Sequence, residues 1–373
     1  MKKKILIISR GFFPGISPRA FRATELVKEF AREGHEVTLY IPKTQPAHFE
    51  FEREYGVVIK DMGLRWPILK GAFKNRLTWL FTQVPKRLLQ WLLQYPDIEL
   101  MFKVKKALKN EKGYDLLISV AVPHPIHWGV AWARTPENPI AKTWVADCGD
   151  PFMKATLDTF RNPFYFKYFE KNFCCRADFI SVPFEGAKKG YYKEFQEKIR
   201  VIPQGFSFEE AKIDPQKYQP HKVPTFAYAG GFIPGGRDPA ELLRYLVELE
   251  DDYKFIIYTK SKELVLPYLA KANGRIVLKD YIPRENLLQE LSTMDFLINI
   301  ENESLSSLPS KLIDYSLTKR PILSIKSFGF DRKLLDQFFN RNYSGKLRIE
   351  NPEQYRIENV AKKFIKLTDG STA

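Results

Sequence analysis

Short apolar runs alternate with helix-spaced apolar positions along most of the chain. Residues 4–9 form an Ile-rich run that predicts a buried strand. Ser17 and Pro18 suit the N-cap and the first residue of a helix, whose apolar spacing continues to Gly34. The run at 36–41 predicts the next strand. The chain therefore opens with a βαβ unit, which favours a parallel sheet.

The same alternation predicts two α/β domains. Further strands of the first half are expected at 115–121, 142–146, 179–182 and 200–203. In the second half, strands are expected at 225–229, 253–259, 275–278, 296–300 and 321–325, and helices at 239–249, 264–272, 284–292 and 310–317. We therefore expect two Rossmann-like, doubly wound parallel-sheet domains that face a cleft, with ligands at the carboxyl ends of the strands.

A polar stretch marks the expected domain boundary. Residues 206–224 contain three prolines and no clear periodicity, which is typical of a linker. We expect an N-terminal Rossmann-like domain at 1–205 and a C-terminal Rossmann-like domain at 225–373. The alternative that the last helix packs back on the N-terminal domain stays open.

Composition narrows the class of protein. The chain has 373 residues, and its formal net charge of +15 favours an anionic partner. Its three cysteines form no C-x-x-C pair, which argues against a disulfide framework and fits a reducing compartment. No apolar run approaches the ~18 residues of a membrane-spanning helix. We predict a cytoplasmic protein, with peripheral contact to the inner face of the cytoplasmic membrane left open.

Two segments of the second half suit anion binding. Gly230 and Gly231 follow a predicted strand, and Arg237 precedes a helix; glycines allow a close approach to an anion, and arginine can clamp two phosphate oxygens. The second segment, 306–315, contains Ser306, Ser310, Lys311 and Asp314 at the start of another predicted helix. Solvated turns and an ordinary capped helix are the alternatives.

The first half offers polar candidates at the ends of two predicted strands. Asp147 and Asp150 follow a predicted strand, where they could bind hydroxyl groups or act as a base. His124 and His127 follow another strand, although a structural role is the stronger interpretation for both. No D-x-D occurs, so the sequence gives little support for a metal site, and we predict no metal and no other cofactor.

Residues 62–96 are basic and aromatic. They hold six basic residues, three tryptophans and no acidic residue. A basic amphipathic helix of this kind often lies on an anionic membrane surface. The alternative is a core face with solvated lysines. Nucleic acid is not the expected partner, because no recognised binding motif accompanies the charge.

These segments together resemble the GT-B glycosyltransferases, in particular the retaining family-four group of bacterial polysaccharide and lipopolysaccharide enzymes. The likeness covers most of the chain and is carried by residues 4–9, 13–15, 22–26, 34–38, 146–152, 201–206, 228–232, 237–239, 309–315 and 320–323. The resemblance implies a nucleotide-sugar donor held mainly by the C-terminal domain and a saccharide or lipid-linked acceptor held mainly by the N-terminal one.

The resemblance also implies roles for single residues. Arg237 and Lys311 would contact the donor diphosphate, helped by the backbone of Ser310. Asp314 falls where the family usually has a ribose-binding glutamate, and Ile282 falls where the backbone meets the base. Gly15 would face the donor from across the cleft.

The sequence also departs from the family pattern. The family's glutamate pair is replaced by Ser306 and Asp314, and a usual glycine by Lys319. The histidine that often sits beside the transferred sugar has no clear match. These differences match a variant subgroup with Pro-Ser-Lys in place of the first glutamate.

The function expected from this likeness is metal-independent, retaining transfer of a sugar in cell-surface polysaccharide synthesis, such as lipopolysaccharide or capsule. A nucleotide-sugar epimerase and a non-catalytic nucleotide-sugar-binding protein of the same architecture are the alternatives.

Overall fold

A computed structural model describes residues 1–15, 17–65, 76–154, 161–209, 213, 218–301 and 310–370, without the side chains of residues 76–83 and Ser310. Its contacts divide the chain into two compact units. Unit 1 comprises Met1–Phe206 and Ile357–Ala373, and unit 2 comprises Ser207–Arg356. Residues 207–224, which we expected to form a linker, therefore belong to unit 2.

Unit 1 is built on a parallel sheet of seven strands. The strands are β1 (Lys4–Ser9), β2 (Glu36–Ile41), β3 (Val58–Asp61), β4 (Tyr114–Ala121), β5 (Ala141–Cys148), β6 (Phe179–Val182) and β7 (Ile199–Val201). Their spatial order is β3-β2-β1-β4-β5-β6-β7, and every neighbouring pair is parallel. The sequence missed only β3, an edge strand of four residues with too few positions to establish a period.

Helices cover both faces of this sheet. They are α1 (Pro18–Arg32), α2 (Pro46–Tyr55), α3 (Arg76–Leu93), α4 (Glu99–Ala107), α5 (Pro125–Ala133) and α6 (Phe166–Arg176). The predicted cap of α1 is confirmed, because Ser17 Oγ accepts a hydrogen bond from the Ala20 amide at 3.2 Å. Along β1, Leu6 and Ile8 pack in one apolar cluster, and Ile5 and Ile7 pack in the other.

Unit 2 repeats the architecture with five parallel strands. These are β8 (Thr225–Ala229), β9 (Lys254–Tyr258), β10 (Ile276–Lys279), β11 (Phe296–Ile300) and β12 (Ile322–Ile325), in the spatial order β10-β9-β8-β11-β12. The helices are α7 (Ala240–Glu248), α8 (Leu266–Leu269), α9 (Arg284–Ser292), α10 (Ser310–Leu317) and α11 (Arg332–Phe339). The predicted α/β class with two doubly wound parallel sheets is confirmed.

The last helix, α12 (Ile357–Lys366), belongs to unit 1. Val360 and Phe364 are fully buried in the apolar cluster that contains Leu26 and Phe30 of α1. The alternative in which the last helix packs back on the N-terminal domain is therefore the one the structure has, and unit 2 ends at Arg356 instead of residue 373. The physical reason is the apolar face of α12, which is buried against α1.

The strand orders fix where a ligand can bind in each unit. In unit 1 the direction of winding reverses between β1 and β4, and in unit 2 between β8 and β11. A crevice opens at the carboxyl ends of the strands at such a switch point. The first predicted anion-binding motif lies in the segment 230–239 after β8, and the second, 306–315, lies after β11 and runs into α10.

Within the described ranges, no helix combines the length and the apolar character that crossing a bilayer requires.

Candidate functional site

The two predicted anion-binding segments meet in unit 2. Gly230 follows β8 directly, and Lys311 lies in the first turn of α10. Gly230 has a φ of +141°. A Cβ at this position would lie 3.9 Å from Lys311 Cδ. The loop after β8 and the beginning of α10 are therefore in contact at the switch point.

Two cations lie at this switch point, and no described carboxylate forms an ion pair with either of them. Lys311 Nζ and Arg237 Nε are buried, and neither has a hydrogen-bond partner within the described part of the chain. Burial lowers the pKa of Lys311 well below its ordinary value, and the neighbouring charge of Arg237 lowers it further. A buried, uncompensated pair of cations is costly, and an anion placed between them removes that cost.

The carboxylate nearest to Arg237 in sequence, that of Asp238, is hydrogen-bonded to backbone amides. The Asp238 carboxylate accepts hydrogen bonds from the Gly235 amide at 3.2 Å and the Ala240 amide at 2.9 Å. Arg237 itself closes the turn, since its carbonyl accepts a hydrogen bond from the Ile233 amide at 3.0 Å. Asp238 therefore holds the turn and the start of α7.

Aromatic side chains, which the sequence analysis did not single out, build the support of the site. The Lys311 ammonium lies 4.5 Å from the centre of the Tyr228 ring, a cation–π contact. The Tyr228 ring stacks on Phe232, and its hydroxyl donates to the Gly231 carbonyl at 3.0 Å. The Tyr315 hydroxyl accepts from the Ala229 amide at 2.7 Å. These contacts fix the backbone on which a diphosphate would rest.

Gly231 leaves room above this backbone. The nearest heavy atom to a Cβ placed there is Ser261 Oγ, at 3.8 Å. Ser261 Oγ also accepts a hydrogen bond from the Phe232 amide at 3.2 Å. The space beside Gly231 therefore admits a ligand atom without displacing the chain.

Asp314 pairs with an arginine that the sequence analysis missed. Arg284 Nε and Nη2 donate to Asp314 Oδ1 at 2.9 and 2.6 Å. Burial raises the pKa of Asp314, whereas the charge and hydrogen bonds of Arg284 act in the opposite direction. Ile282, two residues before Arg284, is half-buried against the same apolar cluster as Tyr315. Their predicted contacts with ribose and base stay predictions.

The remaining predicted donor residues divide between the units. Gly15 lies in unit 1 after β1, in a tight turn whose amide donates to the Phe12 carbonyl at 2.8 Å. A Cβ on Gly15 would lie only 2.8 Å from that carbonyl oxygen, so the turn requires glycine. Ser306 lies outside the described residues. Ser310 begins α10, in agreement with the predicted helix start.

Asp147 is held by buried partners in unit 1. Arg22 donates to both of its oxygens, Nε at 3.1 Å and Nη2 at 2.9 Å, and Ser181 Oγ donates at 2.7 Å. Burial alone would raise the pKa of Asp147, but the charge and hydrogen bond of Arg22 outweigh it and lower the pKa. Arg22 also donates to the Pro203 carbonyl at 2.5 Å, so the pair ties α1 and β5 to the end of the sheet. This geometry favours a structural role over the expected acceptor contact.

The two candidate histidines are buried. His127 Nδ1 lies 2.8 Å from Ser119 Oγ, and its Nε2 lies 3.3 Å from Cys148 Sγ. Burial lowers the pKa of His127 well below its usual value. Burial also lowers the pKa of His124 to about 4, against the effect of a hydrogen bond to the Asp150 backbone. Both side chains are therefore neutral near pH 7, and the structural interpretation suits His127 best.

Asp150 differs from these candidates because its side chain is exposed. Burial lowers the pKa of the nearby Arg19 guanidinium. The negative charge of Asp150 acts in the opposite direction but does not cancel the effect of burial. The backbone just after Asp150 is fixed by Glu170, whose Oε1 accepts hydrogen bonds from the Phe152 and Met153 amides at 3.1 and 3.3 Å. Asp150 is thus the acceptor-side candidate that remains accessible.

No group of three or more His, Cys, Asp and Glu side chains in the described part of the chain could hold a metal ion. Metal independence stays a prediction.

Comparison with known proteins identifies the family. The sequence profile of Glycosyltransferase Family 4 matches residues 21–210, just over half of the chain. The chain belongs to glycosyltransferase family 4. The predicted resemblance and the predicted enzyme class are therefore confirmed, and the chain is a glycosyltransferase. A search of curated proteins finds no significant match.

Solved structures confirm the GT-B fold of this family member. A glycosyltransferase from Rickettsia africae superposes with a TM-score of 0.63 at 13% identity, covering 99% of this chain and 98% of the other. The lipopolysaccharide outer core galactosyltransferase WaaB gives 0.57 at 13% identity, covering 99% and 100%. The pneumococcal O-GlcNAc transferase GtfA, in complex with UDP and GlcNAc, gives 0.57 at 11% identity, covering 99% of each chain.

Replacing Asp147 tests its structural role. Asp147→Ala leaves the Arg22 charge buried without its partner, so we expect the free energy of unfolding to fall by about 3–5 kcal/mol. Asp150→Ala, the matched exposed control, should change it by less than about 0.5 kcal/mol. Urea unfolding followed by circular dichroism measures both. A stable Asp147→Ala variant would contradict the structural role.

Proposed function

We propose that this glycosyltransferase transfers a sugar from a nucleotide-diphosphate sugar to a saccharide or lipid-linked saccharide, with retention of configuration and without a divalent metal. The observation that carries the proposal lies at the switch point of unit 2, where the buried Arg237 Nε and Lys311 Nζ have no hydrogen-bond partner among the described residues. Membership of a glycosyltransferase family supports transfer over the epimerase and binding-protein alternatives.

The proposed chemistry follows from the charge of this pair. When the bond between the sugar and the diphosphate breaks, negative charge grows on the leaving diphosphate. Arg237 and Lys311 stabilise that charge, which is the role that a divalent metal plays in other enzymes. Because both cations are held in place before the reaction, little reorganisation is needed in the transition state. The open space beside Gly231 receives a diphosphate oxygen against the backbone.

The same pair has a second consequence for binding. Burial and the charge of Arg237 lower the pKa of Lys311, so protonation of the Lys311 amine is disfavoured in the free enzyme. A bound diphosphate favours the protonated amine and raises that pKa again. Diphosphate binding is therefore coupled to proton uptake at Lys311, and we place the sugar-bearing phosphate beside it.

The nature of donor and acceptor is inferred from related structures. GtfA is described with UDP and GlcNAc, and WaaB as a galactosyltransferase of the lipopolysaccharide outer core. Both are compatible with a diphosphate nucleotide sugar as donor and a cell-surface glycan as acceptor. We propose the same classes for this chain, with Asp314 and Arg284 beside the ribose and Asp150 on the acceptor side.

An exposed apolar surface of unit 1 supports a lipid-linked acceptor. The exposed large apolar side chains of α3 are Val84, Leu88, Trp91, Leu92 and Leu93. Trp91 Nε1 donates to the Arg161 carbonyl at 2.8 Å, which brings the segment 161–168 beside the helix. That segment adds Phe164 and Tyr168, which are 72% and 61% exposed. We call these seven side chains the apolar patch.

Cations surround the apolar patch. Lys86 and Arg87 lie on α3, and Lys167 lies 4.9 Å over the Tyr168 ring. None of the three forms an ion pair within the described part of the chain. Apolar side chains bordered by unpaired cations suit the interface of an anionic bilayer. We therefore propose peripheral attachment to the cytoplasmic membrane through this surface.

Nucleoside diphosphates test the donor site. In the presence of EDTA, one of UDP, GDP, ADP, CDP or dTDP at about 100 times its Kd should stabilise the protein by about 2.7 kcal/mol, a rise of a few °C in Tm. Arg237→Ala and Lys311→Met should lose most of this rise, and Arg237→Ala should lower turnover of the corresponding sugar nucleotide about 10²-fold. Differential scanning fluorimetry and product analysis measure these effects.

Arg244→Ala provides the control, since Arg244 is an exposed arginine of the same unit. It should keep the full rise in Tm. A rise that needs Mg²⁺, or one that both Arg237→Ala and Lys311→Met retain, would refute the metal-free cation site.

Vesicle binding tests the apolar patch. The protein should cosediment with phosphatidylcholine vesicles only when they contain phosphatidylglycerol, and less so in 1 M salt. Lys86→Glu combined with Arg87→Glu should weaken binding about tenfold or more, because each basic group contributes about 1 kcal/mol near the surface. Lys271→Glu with Lys333→Glu, the same change of charge on unit 2, should bind like the wild type. Equal loss in both double variants would remove the membrane proposal.

A further inference from the structure

A cavity of about 410 Å³ lies in unit 2 near the amino end of β12. Its wall is formed by the last turn of α10, by the turn that leads into β12, and by residues 346–352. The Leu347 amide donates to the Ile322 carbonyl at 2.8 Å, so this last segment lies along the beginning of β12. The volume is within the range of about 300–1,000 Å³ that is common for small-molecule sites.

The cavity is surrounded by positive charge. Lys319, Arg320, Lys346 and Arg348 line it, and none of its lining residues is acidic. Within the described part of the chain, none of the four forms an ion pair. Cations that line one cavity without a carboxylate in its wall repel one another, and an anion relieves that repulsion. This distribution differs from an ordinary solvated surface, where charges of both signs are interspersed.

Arg320 is the most firmly held of the four. Its guanidinium packs 3.7 Å from the centre of the Tyr218 ring. Its Nε and Nη1 are buried and have no hydrogen-bond partner among the described residues. The Tyr218 hydroxyl, in turn, donates to Asp295 Oδ1 at 3.0 Å. The stack therefore fixes a positive charge at the wall of the cavity at a cost in unsatisfied donors.

The rest of the wall is apolar. Pro321, Ile322, Leu347 and Ile349 line it between the cations. Inorganic phosphate alone would leave this apolar surface in contact with water. A ligand with a phosphate at one end and an apolar part at the other covers both kinds of surface.

The cavity is separate from the donor site. Lys311 lies in the first turn of α10, whereas Ser316, which lines the cavity, lies in the last. The eight residues of this helix span about 12 Å. The donor site lies at the carboxyl ends of the strands, and this cavity lies at the amino end of β12, so the two face opposite edges of the sheet.

We propose that this cavity is a second anion site, which binds an organic phosphate with an apolar part: the phosphate between Lys319, Lys346 and Arg348, and the apolar part on Ile322 and Leu347. The same chemistry is offered by a soluble phosphomonoester and by the headgroup and glycerol region of an anionic lipid. The site does not depend on the donor chemistry of Arg237 and Lys311.

The test uses 1-naphthyl phosphate, a soluble probe with both parts, and vesicles that contain phosphatidic acid. All proteins carry Arg237→Ala and Lys311→Ala, which removes phosphate binding at the donor site. Those used with vesicles also carry Lys86→Glu and Arg87→Glu, which weakens binding through the apolar patch. Lys346→Glu with Arg348→Glu is compared with Lys254→Glu and Arg244→Glu, exposed residues of the same types in the same unit. Lys319 is left unchanged because its φ of +57° makes the backbone sensitive to substitution. Circular dichroism checks that each variant is folded.

We expect saturable binding of 1-naphthyl phosphate. An affinity that falls at least tenfold in Lys346→Glu/Arg348→Glu, and less than twofold in the control pair, supports the site and a soluble ligand. Cosedimentation with phosphatidic acid vesicles that shows the same difference, without binding of the soluble probe, supports the site and a lipid source. Equal changes in the two pairs, or no binding in either format, overturn the proposal. Because the donor site is disabled throughout, failure here leaves the proposed transferase function untouched.

Discussion

Lys311 is buried beside Arg237, and no described carboxylate forms an ion pair with either side chain. An isolated charge loses much of its hydration when it is buried, and a second charge of the same sign adds to that cost. This cost arises at the beginning of α10, opposite the loop after β8. A diphosphate supplies the missing negative charge, and the enzyme needs that complementarity most when the diphosphate leaves.

Two other charged groups differ from this cation pair because they have hydrogen-bond partners. In unit 1, Asp147 is buried as deeply, but Arg22 and Ser181 compensate it with three hydrogen bonds. In unit 2, the carboxylate nearest to Arg237 in sequence, that of Asp238, is engaged by backbone amides. The same fold thus uses a paired charge to join elements of structure and an unpaired one where a ligand is expected.

Sequence patterns located the elements that carry the site, because these are local. The predicted bounds of the helices at 284–292 and 310–317 agree with the structure, since the apolar spacing that predicts them lies within each segment. The contact between Gly230 and Lys311 follows from strand order, which βαβ alternation and the switch-point rule anticipate. Contacts between residues that are distant in the chain could not be predicted from local patterns. Arg22 lies 125 residues from Asp147, and Arg284 lies 30 residues from Asp314. The position of α12 in unit 1 also depends on long-range burial, which periodicity does not specify.

A crystal structure of the protein with the best-binding nucleoside diphosphate, grown without divalent metal, would show whether the cation pair holds the diphosphate. We expect diphosphate oxygens within hydrogen-bond distance, about 2.7–3.2 Å, of both the Arg237 guanidinium and Lys311 Nζ. A nucleotide whose phosphates lie away from both side chains, or reach them only through a bound metal ion, would contradict this expectation.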